Sequence, residues 1–97
     1  MKVFRWNAEK NDALKPARGL SFESVVIAIE SGGLLDILPH PNKAKYPRQR
    51  VLVVTFDNYA YLVPYVEEKD HLFLKTIIPS RKATRDYLNQ GDRNVKD

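Results

Sequence analysis

The chain has no cysteine, and that absence removes several classes of function at once. It excludes a disulfide-stapled secreted scaffold, a thiolate metal site and a cysteine nucleophile, and it fits a reducing compartment. Histidine is scarce as well. His40 and His71 are the only two, which argues against a His-rich zinc site. No run approaches the roughly 18 apolar residues that a bilayer span requires. Lys2 is not followed by an apolar stretch of signal-peptide type, so a cytoplasmic protein with no membrane partner is expected. Repeats, low-complexity tracts and dividing linkers are all missing. One domain over residues 1–90 is expected, with 91–97 a polar tail that has nothing to bury and frays.

What is present is ordinary globular chain with unevenly placed charge. Its 97 residues, 43% of them hydrophobic, suffice for a single core of two layers and argue against wholesale disorder. The formal net charge is only +4. Lys43, Lys45, Arg48 and Arg50 nevertheless lie together between His40 and Arg50 without an acid. Lys75, Arg81, Lys82 and Arg85 form a second such block. Between them stand Asp57, Glu67, Glu68 and Asp70 against Lys69 alone. A polarised surface of this kind favours an anionic partner; an uneven but inert soluble surface is the plain alternative.

The periodicity predicts the element order β-α-α-β-β-β-α. Val3 to Trp6 alternates as a strand, with Phe4 and Trp6 on one side and Val3 and Arg5 on the other. Asn7 caps a short helix that Pro16 stops near Lys15. Ser21 caps a second helix from Phe22 to Ser31, with Phe22, Val25, Val26 and Ile29 on its apolar face, and Gly32-Gly33 ends it. Leu34 to Leu38 reads as a short extended piece, and 39–47 as a proline-rich loop. Three strands follow, at Val51 to Phe56, Tyr59 to Val66 and Leu72 to Ile78. Asp57-Asn58 makes a tight hairpin turn, and Pro64 forces a bulge or an edge. Ser80 caps a last helix to Leu88. The expected fold is α+β: an antiparallel sheet of three to four strands, with two N-terminal helices and one C-terminal helix covering one face.

The junction at Ser80 holds the sharpest chemical signal. A helix N-terminus exposes unpaired N–H groups at the positive end of its dipole, so Arg81 and Lys82 are each unfavourable there by about 0.3–1 kcal/mol. The same geometry cradles an anion, and cations added to it suit a phosphate. Side chains that bend away into water are the competing reading.

Two stretches carry a resemblance to a known family. Trp6-Asn7, Lys10-Asn11 and Gly19-Leu20-Ser21-Phe22-Glu23 resemble the opening of BrnT-type toxins from bacterial toxin–antitoxin systems. Ile77-Ile78-Pro79-Ser80-Arg81-Lys82-Ala83-Thr84 is similar to the stretch that closes them. The two ends are specific, whereas the middle agrees only in pattern. Arg18 stands where the family usually has histidine, and Asn7 where it has aspartate. The resemblance implies a RelE-like ribonuclease fold, mRNA cleavage with translation arrest, and silencing by a cognate antitoxin, often of ribbon-helix-helix type. Operator DNA would be bound only through the antitoxin complex, and neither metal nor cofactor is implied.

Cleavage by the 2′-hydroxyl needs a proton acceptor, a proton donor and cations around the phosphate. Arg81 suits the last role through its planar fork. Arg50, Lys75, Lys82 and Tyr87 complete the candidate catalytic set, and Lys10, Arg18, Lys43, Lys45, Arg48 and Arg85 the candidate RNA contacts. Glu23 is favoured as a structural first-turn carboxylate, His71 as an exposed turn residue, and His40 as a surface loop residue. Tyr59, Tyr61 and Tyr65 share one strand face and suit a partner interface or plain sheet packing better than base stacking. A non-catalytic binding module of the same fold is the second reading. A DNA-binding regulator is the third, and no helix has a recognition-helix pattern.

Overall fold

The computed structural model describes residues 2–89, apart from the side chains of Ala17 and Arg18. The expected tail over 91–97 lies outside the described residues. Strand β1, Val3–Trp6, leads into helix α1, Ala8–Arg18. Asn7 caps α1 by accepting the Lys10 N–H at 2.9 Å. An asparagine oxygen does here what an aspartate would, so the Asn7 departure leaves the cap intact. The helix runs through Pro16 rather than stopping at it, which corrects the expectation. Little more than half a turn follows the proline. The Gly19 N–H then reaches the Lys15 carbonyl at 2.8 Å, with Gly19 left-handed at φ 67°. That positive φ requires glycine or a strained substitute.

Helix α2, Phe22–Ala28, is capped by Ser21 and relaxes into a π-helical turn over Ile29–Gly33, shorter as an α-helix than expected. Strands β2 (Leu34–Pro39), β3 (Gln49–Phe56), β4 (Tyr59–Glu67), β5 (His71–Leu74) and β6 (Ile78–Pro79) follow. The chain closes with α3, Arg81–Ala83, and a π-helical turn over Thr84–Leu88. Asp57 and Asn58 both take positive φ, 55° and 61°, as the two-residue hairpin turn between β3 and β4 demands.

The sheet is open and mixed rather than antiparallel throughout. Its order is β1-β5-β4-β3-β2, with β6 also on β4, and β1 runs parallel to β5. The expected third long strand is two pieces. Pro64 explains the break: its carbonyl accepts the Lys75 N–H at 2.8 Å, but it has no N–H to return. The register shifts by one residue between the Tyr65–Leu74 pairing and the Leu62–Ile78 pairing. The expected bulge is therefore present, on the β5–β6 side of β4.

Helices cover both faces, not one. Phe22 and Val25 of α2 and Leu14 of α1 bury one face with Leu52, Val54, Val63, Tyr65, Leu74 and Ile77. On the other face Ala83 packs with Val53 and Ala60, flanked by Leu38, Leu62 and Tyr87. The alternation of β3 and β4 supplies an apolar row to each side, and the sheet is buried where helices lie on it.

Candidate nucleic-acid interface

The residues that carry the resemblance serve mostly as architecture. Asn11 is 3% exposed; its amide donates to Glu23 Oε1 at 2.7 Å, and its carbonyl oxygen accepts the Phe22 N–H at 2.7 Å. This pair locks the α1–α2 corner, while Trp6 stacks on Phe22 with ring centroids 5.7 Å apart. The Asn11 hydrogen bond is the main reason that the Glu23 carboxyl is held below its ordinary range, the reverse of what a general base at neutral pH needs. Its expected structural role is the one that the contacts describe.

The closing motif behaves likewise. Ser80 Oγ accepts the Ala83 N–H at 3.0 Å. Thr84 Oγ1 donates to the Ser80 carbonyl and accepts the Ala60 N–H, each at 2.8 Å. Ile77 and Ala83 are buried. Arg81 and Lys82 are exposed and have no part in this scaffold.

The candidate catalytic residues do not converge. Arg50 lies opposite Tyr65 in the β3–β4 register, on the face that α1 and α2 cover. Burial pushes the Tyr65 hydroxyl above its ordinary value, and nearby Arg50 acts in the opposite direction. Arg81, Lys82 and Tyr87 belong to the α3 segment on the other face. Lys75 shares the Phe73 face but not that of Ile77, because the bulge turns Ile77 into the opposite core. Arg50 is thus separated from the α3 cations by the thickness of the sheet.

Lys82 and Tyr87 do line one cleft of about 170 Å³, with Ser80, Asp86, Leu38 and Val53. Lys82 Nζ reaches Asp86 Oδ2 at 2.7 Å, and Arg85 lies 3.6 Å from the same carboxylate. The Tyr87 hydroxyl donates to Asp36 Oδ2 at 2.6 Å. That bond raises the tyrosine and depresses the aspartate, so Tyr87 stays a neutral donor and does not accept a proton. A phosphate entering here must first displace Asp86 from Lys82. Asp36 is a residue that the sequence reading missed; 51 positions separate it from its partner.

Cations gather best in the β2–β3 loop. Backbone bonds from Tyr46 N to the Asn42 carbonyl and from His40 N to the Gln49 carbonyl hold it in shape. His40 and Tyr46 rings lie 4.6 Å apart, and Lys45 Nζ sits 5.4 Å from the Tyr46 centroid. Lys43 and Arg50 line a shallow cleft of about 210 Å³ with Pro39, Pro47 and Gln49. Arg48 meets Glu68 at 3.4 Å in an exposed pair, worth little. Lys10 is exposed on α1, and the Arg18 side chain lies outside the described residues. Tyr61 stacks on Phe56 at 4.5 Å and Tyr65 is buried, so these tyrosines are sheet packing.

No family model, curated protein or solved structure matches the chain. The class defined by its architecture is an α+β domain with an open mixed sheet and helices on both faces. No helix among the described residues is long and apolar enough to cross a membrane.

Proposed function

We propose that the chain is the toxin of a type II toxin–antitoxin pair, of BrnT type and RelE-like fold, acting on RNA and silenced by a cognate antitoxin. One observation carries this reading. The resembling residues are not scattered: Asn7, Asn11, Gly19, Ser21, Phe22 and Glu23 interlock at one helix corner, and Ser80, Ala83 and Thr84 at the other end. Motifs whose members depend on one another for caps and buried hydrogen bonds specify a fold, and that supports kinship with the family over chance similarity. The RNA-contacting group is the cationic loop of Lys43, Lys45 and Arg48 with Arg50, and Arg81 is an exposed cation of the closing helix.

A second reading is favoured by the division of Arg50 from Arg81 and Lys82 across the sheet. It makes the protein a binding toxin that arrests growth by occupying RNA or a ribosomal target without cutting it. Induced expression with mapping of RNA 5′ ends tests both. New ends appearing with growth arrest, and lost in Arg81→Ala, support cleavage. Arrest without new ends supports occupancy, and no arrest at all removes both readings.

A further inference from the structure

The α3 segment covers only one end of its face of the sheet, over Val53, Ala60 and Leu62. Among the described residues, no helix lies over the other end. There the register sets Gln49 beside Val66, Val66 beside Phe73, and Phe73 beside Arg5, a row crossing β3, β4, β5 and β1. None of the four is buried, whereas Leu52, Val63 and Leu74, on the reverse face of the same strands, are. Phe73 is the aromatic centre of this surface. Lys75 Nζ lies 5.4 Å from its ring centroid, and the His71 ring meets it edge-on at 6.4 Å. Arg5 and Lys75 are exposed on either side. Asp70, at the rim, is bonded to His71 Nδ1 at 2.8 Å and steadies that ring.

We infer that this face binds single-stranded RNA, with an unpaired base on the Phe73 ring and flanking phosphates on Arg5 and Lys75. The inference rests on the reading of an RNA-directed protein but places a contact surface whose residues, apart from Lys75, lie outside the sequence motifs. Charge complementarity selects the occupant. Two exposed cations flank one half-buried ring, the combination that takes a base face and its backbone together. A duplex keeps its base faces stacked and cannot use Phe73, and unpaired stretches in cells are chiefly RNA. The Lys75 ammonium now near the ring would swing to a phosphate as the base arrives.

Fluorescence anisotropy of the full chain with a labelled 12-nucleotide RNA of mixed sequence tests the proposal, alongside the matching duplex and DNA strand. The single-stranded RNA is expected to bind at least as well as the DNA and better than the duplex. Phe73→Leu, which keeps an apolar side chain, should weaken binding about 5- to 100-fold at an unchanged thermal midpoint. Arg5→Gln with Lys75→Gln should lower the slope of log affinity against log salt by about 1.4, two phosphate contacts on a single strand. Equal affinity of wild type and Phe73→Leu would overturn the inference. So would preference for duplex or DNA, or a Phe73→Leu effect on self-association of the chain alone. Growth arrest that is indifferent to Phe73 removes this surface and keeps the toxin reading. Phe73-dependent RNA binding without growth arrest does the reverse.

Discussion

The Tyr87 hydroxyl donates to Asp36 Oδ2 at 2.6 Å and so ties the end of the closing helix to the edge strand β2. This bond fixes the protonation of both partners, with consequences for stability at both ends of the pH scale. The tyrosine is raised above its ordinary value of 10.0, so stability that it contributes is complete below pH 10 and is lost as pH rises through the folded value. The Asp36 carboxyl is held below 3.8, so its contribution is present above that pH and is lost as pH falls through the folded value. Tyr87→Phe is therefore expected to flatten both limbs of a urea-stability profile against pH. It should also speed amide exchange in 84–88 more than in β3.

The Asn11–Phe22 bond makes a second prediction. Asn11→Ala leaves the buried Phe22 N–H without an acceptor and should cost about 1–3 kcal/mol by urea denaturation. Glu23→Gln keeps an oxygen for the Asn11 amide but no longer titrates. Because the Glu23 carboxyl is depressed below 4.5, its stabilising contribution is lost as pH falls below that value. The variant should show a shallower acid limb while its neutral-pH fold is unchanged.

Gly33 tests the packing of α2 on the sheet. A Cβ there would stand 2.6 Å from the Thr55 carbonyl oxygen and 2.8 Å from that of Ala28, both rigid backbone. Gly33→Ala is expected to destabilise by about 1–3 kcal/mol through forced separation of these segments. An unchanged denaturation midpoint would mean that the turn yields freely.

Arg50 and Arg81 occupy different faces, so their effects on RNA affinity should be independent. Arg50→Gln and Arg81→Gln should add to within about 0.5 kcal/mol in the double variant. A strong departure from additivity in a titration with labelled RNA would place them in one shared pocket.

Local signals are legible in the sequence because short-range chemistry determines them. Asn7, Ser21 and Ser80 cap the helices expected of them, Asp57-Asn58 turns the hairpin, and Pro64 faces a bulge. What escaped was non-local. Nothing in Val3 to Trp6 says that its neighbour is β5, and the one-residue bulge that sends Ile77 and Phe73 to opposite faces cannot be placed from periodicity. The two basic blocks are divided in space because Arg50 falls on the face of Leu52 and Tyr65, whereas the α3 segment lies on the other. Asp36 and the Phe73 surface were missed for the same reason. Each gains its meaning from a strand or helix distant in sequence, although His71, Phe73 and Lys75 do alternate along one strand.

The most direct measurement is induced expression of the chain in a bacterial host, with growth, protein synthesis and RNA integrity followed together, with and without a co-expressed ribbon-helix-helix antitoxin. Growth and translation should stop on induction and recover when the antitoxin is supplied. Normal growth at high levels of folded protein would contradict the toxin assignment.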